Sequence, residues 1–140
     1  MTANPAPAAS LKDTRVHWGR IIAGAFLLEL VLIVVFVPLI ASVGLPRLIP
    51  FIVAGCFVFG TACGWWVTRK LRARHVFHAT AAGILATALY LGLGVLNPEG
   101  GLRAVVEGYG PTTFVLGNIL RILGCMLGGY LNRRNQGTRA

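Results

Sequence analysis

Four long apolar runs, separated by short polar segments, set the organisation of this chain. They cover residues 21–43, 48–68, 76–96 and 113–131. A helix needs about 20 apolar residues to cross a hydrocarbon core of about 30 Å, and each run meets that length or nearly so. The first run, IIAGAFLLELVLIVVFVPLIASV, is broken only by Glu29. The second carries no charge, and the fourth, TFVLGNILRILGCMLGGYL, is broken by Arg121. The runs are too long for membrane strands and lack period-two alternation, and an unpaired backbone amide is costly in lipid, so each run is predicted to be a helix. The first run is longer than the apolar core of a signal peptide and lacks a small-residue cleavage site, so it is read as a retained span.

The predicted fold is all-α: a four-helix transmembrane bundle spanning residues 21–131, with a cytoplasmic tail at 1–20 and another at 132–140. The opening MTANPAPAAS is expected to be disordered, Ser10 and Asp13 fit a capping box loosely, and a short interfacial helix over 11–20 would put Trp18 at headgroup level. The first connection, GLPR, is tight enough to force an antiparallel hairpin. The segment 97–112 is long enough to hold a short helix or lid of its own.

Composition strengthens the membrane reading. Charged residues make up 12% of the chain, against about 25% in soluble domains, too few to cover a water-soluble globule. The positions of the charges give an orientation. With the amino terminus inside, ten cationic residues fall on the cytoplasmic side: Lys12, Arg15, Arg20, Arg69, Lys70, Arg72, Arg74, Arg133, Arg134 and Arg139. Only Arg47 and Arg103 fall outside. The positive-inside rule therefore predicts both termini in the cytoplasm of a cell-membrane protein. Trp18, Trp65, Trp66 and Tyr130 fall at the same inner interface. The net charge of +9 is spent on topology. It leaves no basic-aromatic module for nucleic acid, and the expected partners of the basic face are anionic lipids.

Two stretches resemble each other 64 residues apart: GTACGWWVTRK from Gly60 and GCMLGGYLNRR from Gly124. Gly60 matches Gly124, Gly64 matches Gly128, and Trp66 matches Tyr130. Duplication would give two helical hairpins of the same orientation, related by an axis along the membrane normal. Convergence would give the same pattern, because spans ending at the inner face tend to finish aromatic-then-basic and Gly-xxx-Gly is common in membranes. Either way, such glycines let two backbones approach. Gly117, Gly124 and Gly128 fall on one side of the fourth run with Arg121, so Gly60, Gly64, Gly117, Gly124 and Gly128 are the candidate packing residues, and self-association through these stripes is one use for them.

Glu29 and Arg121 carry the sharpest expectation. A lone charge at the membrane centre costs about 2.5–3.5 kcal/mol on insertion scales, and pairing lowers that cost. Glu29 lies about 12 Å and Arg121 about 15 Å from the inner ends of their runs, counted at the helical rise per residue. The shared depth predicts an ion pair between the first and fourth spans, with Asn118, one turn from Arg121, completing the hydrogen bonding. The pair is read as a lock between helices or, alternatively, as part of a polar transport path.

The residues GAFLLELV around Glu29 resemble the first span of the small multidrug resistance transporters. The likeness stops there: the tryptophan and proline patterns expected further along are missing, and a ten-to-two charge bias opposes insertion in both orientations. No family is assigned on it. Other chemistry is sparse. Cys56, Cys63 and Cys125 lie inside apolar runs and are expected to pack as small hydrophobes. His75 and His78 are expected to be solvated or interfacial, and no metal site, cofactor site or catalytic set is predicted. The leading expectation is a non-enzymatic membrane component or accessory subunit, with a small oligomeric transporter or channel as the alternative.

Overall fold

The structure, a computed structural model, describes residues 16–71, 73–98 and 100–137. Among them are five helices and no strand: α1 (Trp18–Val43), α2 (Leu45–Thr68), α3 (His75–Val95), α4 (Gly101–Tyr109) and α5 (Pro111–Gly137). Four of these, α1, α2, α3 and α5, are long and apolar enough to cross a membrane. The expected disorder of 1–10, the Ser10–Asp13 cap, and Lys12, Arg15, Arg72, Glu99 and Arg139 lie outside the described residues.

The element ends differ from expectation in three places. The expected interfacial helix has no separate existence at its described end: Val16 and His17 are not helical, and Trp18 opens α1 itself. The hairpin between α1 and α2 is tighter than GLPR. Pro46 sits in the first turn of α2, where its missing N–H costs nothing, and Gly44 alone lies between the helices. Gly44 takes φ +89° and ψ 145°, a region open essentially to glycine, and its N–H donates to the Ile40 carbonyl at 2.9 Å. At the other end of the chain, α5 continues past Leu131 to Gly137, so the described part of the expected carboxy-terminal tail is helical. The segment 97–112 does hold a short helix, α4.

Lipid as the surrounding solvent follows from both faces of α1. One stripe, with Ala25, Leu28, Leu32 and Phe36, is buried against the other helices. On the other side Phe26, Leu30, Val34 and Val37 are each more than half exposed. A helix on a water-soluble protein presents polar residues there; a helix apolar all round needs an apolar medium.

The closest packing is between α2 and α5. A Cβ placed on Gly60 would come within 2.8 Å of the Arg121 carbonyl oxygen, and one on Gly128 within 2.6 Å of the Trp65 amide nitrogen. Gly64 likewise abuts the Cys125 carbonyl, and Gly124 abuts that of Phe57. The relations are reciprocal: Gly60 faces Arg121 as Gly124 faces Phe57, each residue replaced by its counterpart 64 positions away. Thr68 and Asn132 are counterparts in the same register, and Asn132 Nδ2 donates to Thr68 Oγ1 at 3.1 Å. Matching levels along α2 and α5 make the two helices parallel neighbours around a local two-fold relation. The outer helices do not follow it. α3 packs on α2 as well as on α5, whereas α1 packs on α2 and α3 and has no close backbone approach to α5.

A thiol contact joins two of the helices in the same region: Cys63 Sγ on α2 donates to the Gly24 carbonyl on α1 at 3.2 Å. All three cysteines are free and buried.

Candidate functional site

The close approach of α5 to α2 decides where Arg121 goes. With Gly60 and Gly124 removing side chains from the contact, the Arg121 backbone lies against α2, and its long side chain reaches past Cys56 into the space between α1 and α5. Its Nη1 lies 2.7 Å from Glu29 Oε1 on α1. Its Nη2 lies 3.9 Å from Cys56 Sγ on α2, a weak contact, and its guanidinium carbon sits 4.7 Å from the centre of the Tyr90 ring on α3. One side chain from α5 thus touches all three other long helices. Glu29 and Arg121 are 5% and 4% exposed, so the contact is dry by comparison with any surface ion pair.

The hydrogen bonding of this group is incomplete. Despite the short separation, the Arg121 Nη1 and Glu29 Oε1 atoms are not aligned as a hydrogen bond, and Arg121 Nε has no acceptor. Asn118 does not supply one. Its Nδ2 donates back to the Phe114 carbonyl at 2.8 Å, one turn earlier on α5, and its buried Oδ1 has no donor. The expected Asn118–Arg121 bond is therefore replaced by a local back-bond, the commoner use of a short amide side chain on a helix.

These polar groups lie at the base of a cavity of about 160 Å³. Its walls are largely apolar, from Leu32 and Phe36 on α1, Ile52 on α2 and Phe114 on α5, and Tyr90 and Tyr109 border it. Gly117 lines it too. A Cβ on Gly117 would meet nothing within 4 Å, so this glycine, expected to pack against a helix, faces open space. The small-residue stripe of α5 serves two purposes: Gly124 and Gly128 seat α2, and Gly117 leaves room above Arg121. Tyr109 ends α4 and belongs to no span. Burial pushes its phenol above the ordinary tyrosine range, with Cys56 adding to the effect and a hydrogen bond with Tyr90 opposing it. α4 itself is amphipathic, its exposed Arg103 and Glu107 paired at 2.7 Å across one turn.

The arginine-rich ends of the helices hold a second polar cluster, around two histidines that the sequence placed in solvent or at the interface. His75 and His78 are 5% and 1% exposed. His78 Nε2 accepts the His17 backbone N–H at 3.0 Å, and Nδ1 lies 2.9 Å from the Arg74 carbonyl, which fixes the neutral tautomer protonated at Nδ1. His75 Nε2 reaches both the Leu71 carbonyl at 2.8 Å and Gln136 Oε1 at 3.1 Å, so it acts as a donor. Arg20 Nη1 donates to the Val67 carbonyl at the end of α2. The signal for this cluster was the spacing of His75 and His78 on one helix face; what it meets is set by α1 and α5. Among the described residues no three His, Cys, Asp or Glu side chains come together as a metal site.

No protein family, curated protein or solved structure matches this chain.

Proposed function

We propose that this chain is a small multi-pass protein of the cell membrane, with both termini cytoplasmic, that serves as a non-enzymatic component of the membrane rather than as a catalyst. In this reading the long helices form a transmembrane bundle, the basic ends meet anionic lipid, and the glycine pairs of α2 and α5 hold the fold together, leaving exposed apolar faces for a second copy or another membrane subunit. The observation that carries the proposal is the buried Glu29–Arg121 contact at 2.7 Å between two helices whose backbones do not otherwise approach. A buried ion pair there acts as a cross-brace: removing one partner strands the other in a low-dielectric site and costs about 3–5 kcal/mol.

The transporter reading has one observation of its own, the cavity that reaches Glu29. Its walls are mostly apolar and its base is held by the ion pair, so it provides no continuous polar path. Glu29→Gln separates the two readings. A brace predicts a large loss of folding stability in detergent and in bilayers. A transport carboxylate predicts a folded protein that has lost proton or cation flux in liposomes, and that result would overturn the proposal.

A further inference from the structure

We infer that the cavity above Arg121 is a binding site for an uncharged amphiphile, an alkyl chain ending in a hydroxyl, held in the space between α1 and α5. The inference rests on the membrane-spanning reading but not on the accessory role.

Three observations select this class. The first is the base of the cavity. Arg121, 4% exposed, carries an Nε–H without an acceptor, and the buried Asn118 Oδ1 lacks a donor. A buried donor or acceptor left unmade costs about 1–3 kcal/mol, so a group that accepts from Arg121 and donates to Asn118 has a reason to sit there, and a hydroxyl does both. The second is charge. Glu29 and Arg121 already neutralise each other at 2.7 Å. A bound anion would be repelled by Glu29 and a bound cation by Arg121, both with little screening, so an uncharged ligand is favoured. The third is the shape. The remaining walls are apolar, and α1 and α5, which supply most of them, each pack on α2 and α3 but not backbone to backbone on each other, leaving the space between them unfilled. An alkyl chain can lie in that space along Leu32, Phe36 and Phe114. Gly117 maintains the room, since a Cβ there would project into open space and a longer side chain would occupy it.

The test uses the full-length protein in nanodiscs and two photoactivatable probes, a diazirine-bearing octanol and the matching octane without the hydroxyl. Labelled residues are mapped by mass spectrometry. The alcohol is expected to label cavity residues such as Phe114 and Tyr90 in preference to the exposed Val34 and Phe51, and excess unlabelled octanol is expected to compete. The hydroxyl contact is expected to give the alcohol about a tenfold advantage over the hydrocarbon, equivalent to about 1.4 kcal/mol. Gly117→Leu fills the space while leaving Glu29 and Arg121 in place, and is expected to abolish the cavity label with the melting temperature retained. Gly117→Ala, which barely reduces the space, is expected to keep it. Even labelling of all lipid-facing residues, equal labelling by the hydrocarbon, or full labelling of Gly117→Leu would overturn the inference. Recovery of the chain as a detergent-free soluble protein would instead overturn the membrane reading beneath it, so the two failures are distinct.

Discussion

A single methyl group at Gly128 probes the contact on which the rest of the structure depends. The new Cβ would lie 2.6 Å from the Trp65 amide nitrogen and closer still to the Thr61 carbonyl oxygen, where ordinary contact begins at 3.4 Å. Both obstacles are backbone atoms of α2, which have no rotamer to escape into, so α2 and α5 must part by roughly 1 Å at that level. The Asn132–Thr68 hydrogen bond at 3.1 Å lies one turn beyond and would be stretched with them. Overpacking of this kind costs about 1–3 kcal/mol, and in lipid no hydrophobic force returns the helices to contact. Gly128→Ala is therefore expected to lower the unfolding free energy by about 2 kcal/mol or more. Gly117→Ala is the internal control. It adds the same methyl to the same helix but meets nothing within 4 Å, so it is expected to be neutral or slightly stabilising through helix propensity. Unfolding of both variants in mixed micelles of mild detergent and dodecyl sulfate, followed by circular dichroism, gives the comparison. If Gly128→Ala matched the native protein, or if the two alanines cost the same, the assignment of these glycines to opposite roles would be wrong.

Other perturbations test other parts of the molecule. Glu29→Gln alone and Arg121→Leu alone are each expected to destabilise by about 3–5 kcal/mol, whereas the Glu29→Leu, Arg121→Leu double variant should recover most of the loss, read as a coupling in a double-mutant cycle. Gly44→Ala places a Cβ at φ +89° and should cost about 1–3 kcal/mol, visible as a lower unfolding midpoint with an unchanged helical spectrum. His78→Phe keeps the ring volume but strands the His17 N–H, for an expected loss of about 1–3 kcal/mol and faster hydrogen exchange at the start of α1. Glu107→Gln removes an exposed ion pair on α4 and is expected to change stability by less than about 1 kcal/mol.

Length and hydrophobicity along the chain were enough to locate the four long helices, because a bilayer-length apolar run with satisfied backbone has few other conformations. Charge and depth were enough to pair Glu29 with Arg121 as candidates, since two isolated charges at one level of an apolar protein have a common reason to meet. The Gly60–Gly64 and Gly124–Gly128 repeat was also visible, and the structure seats each pair in the other. Beyond that, tertiary structure decided. Helical periodicity says which residues share a face, but not what lies across from it. Gly117 shares a side with Gly124 yet faces a cavity, because α5 leans on α2 further along and leaves α1 at a distance. Asn118 sits one turn from Arg121, yet its Nδ2 bonds the Phe114 carbonyl of its own helix and its Oδ1 receives no N–H from the guanidinium. His75 and His78 looked interfacial, but Val16–His17 and the extension of α5 past Leu131 cover them. For Gly117 and the two histidines the deciding quantity was the separation between helices, a property of the packed whole that no local stretch of residues encodes.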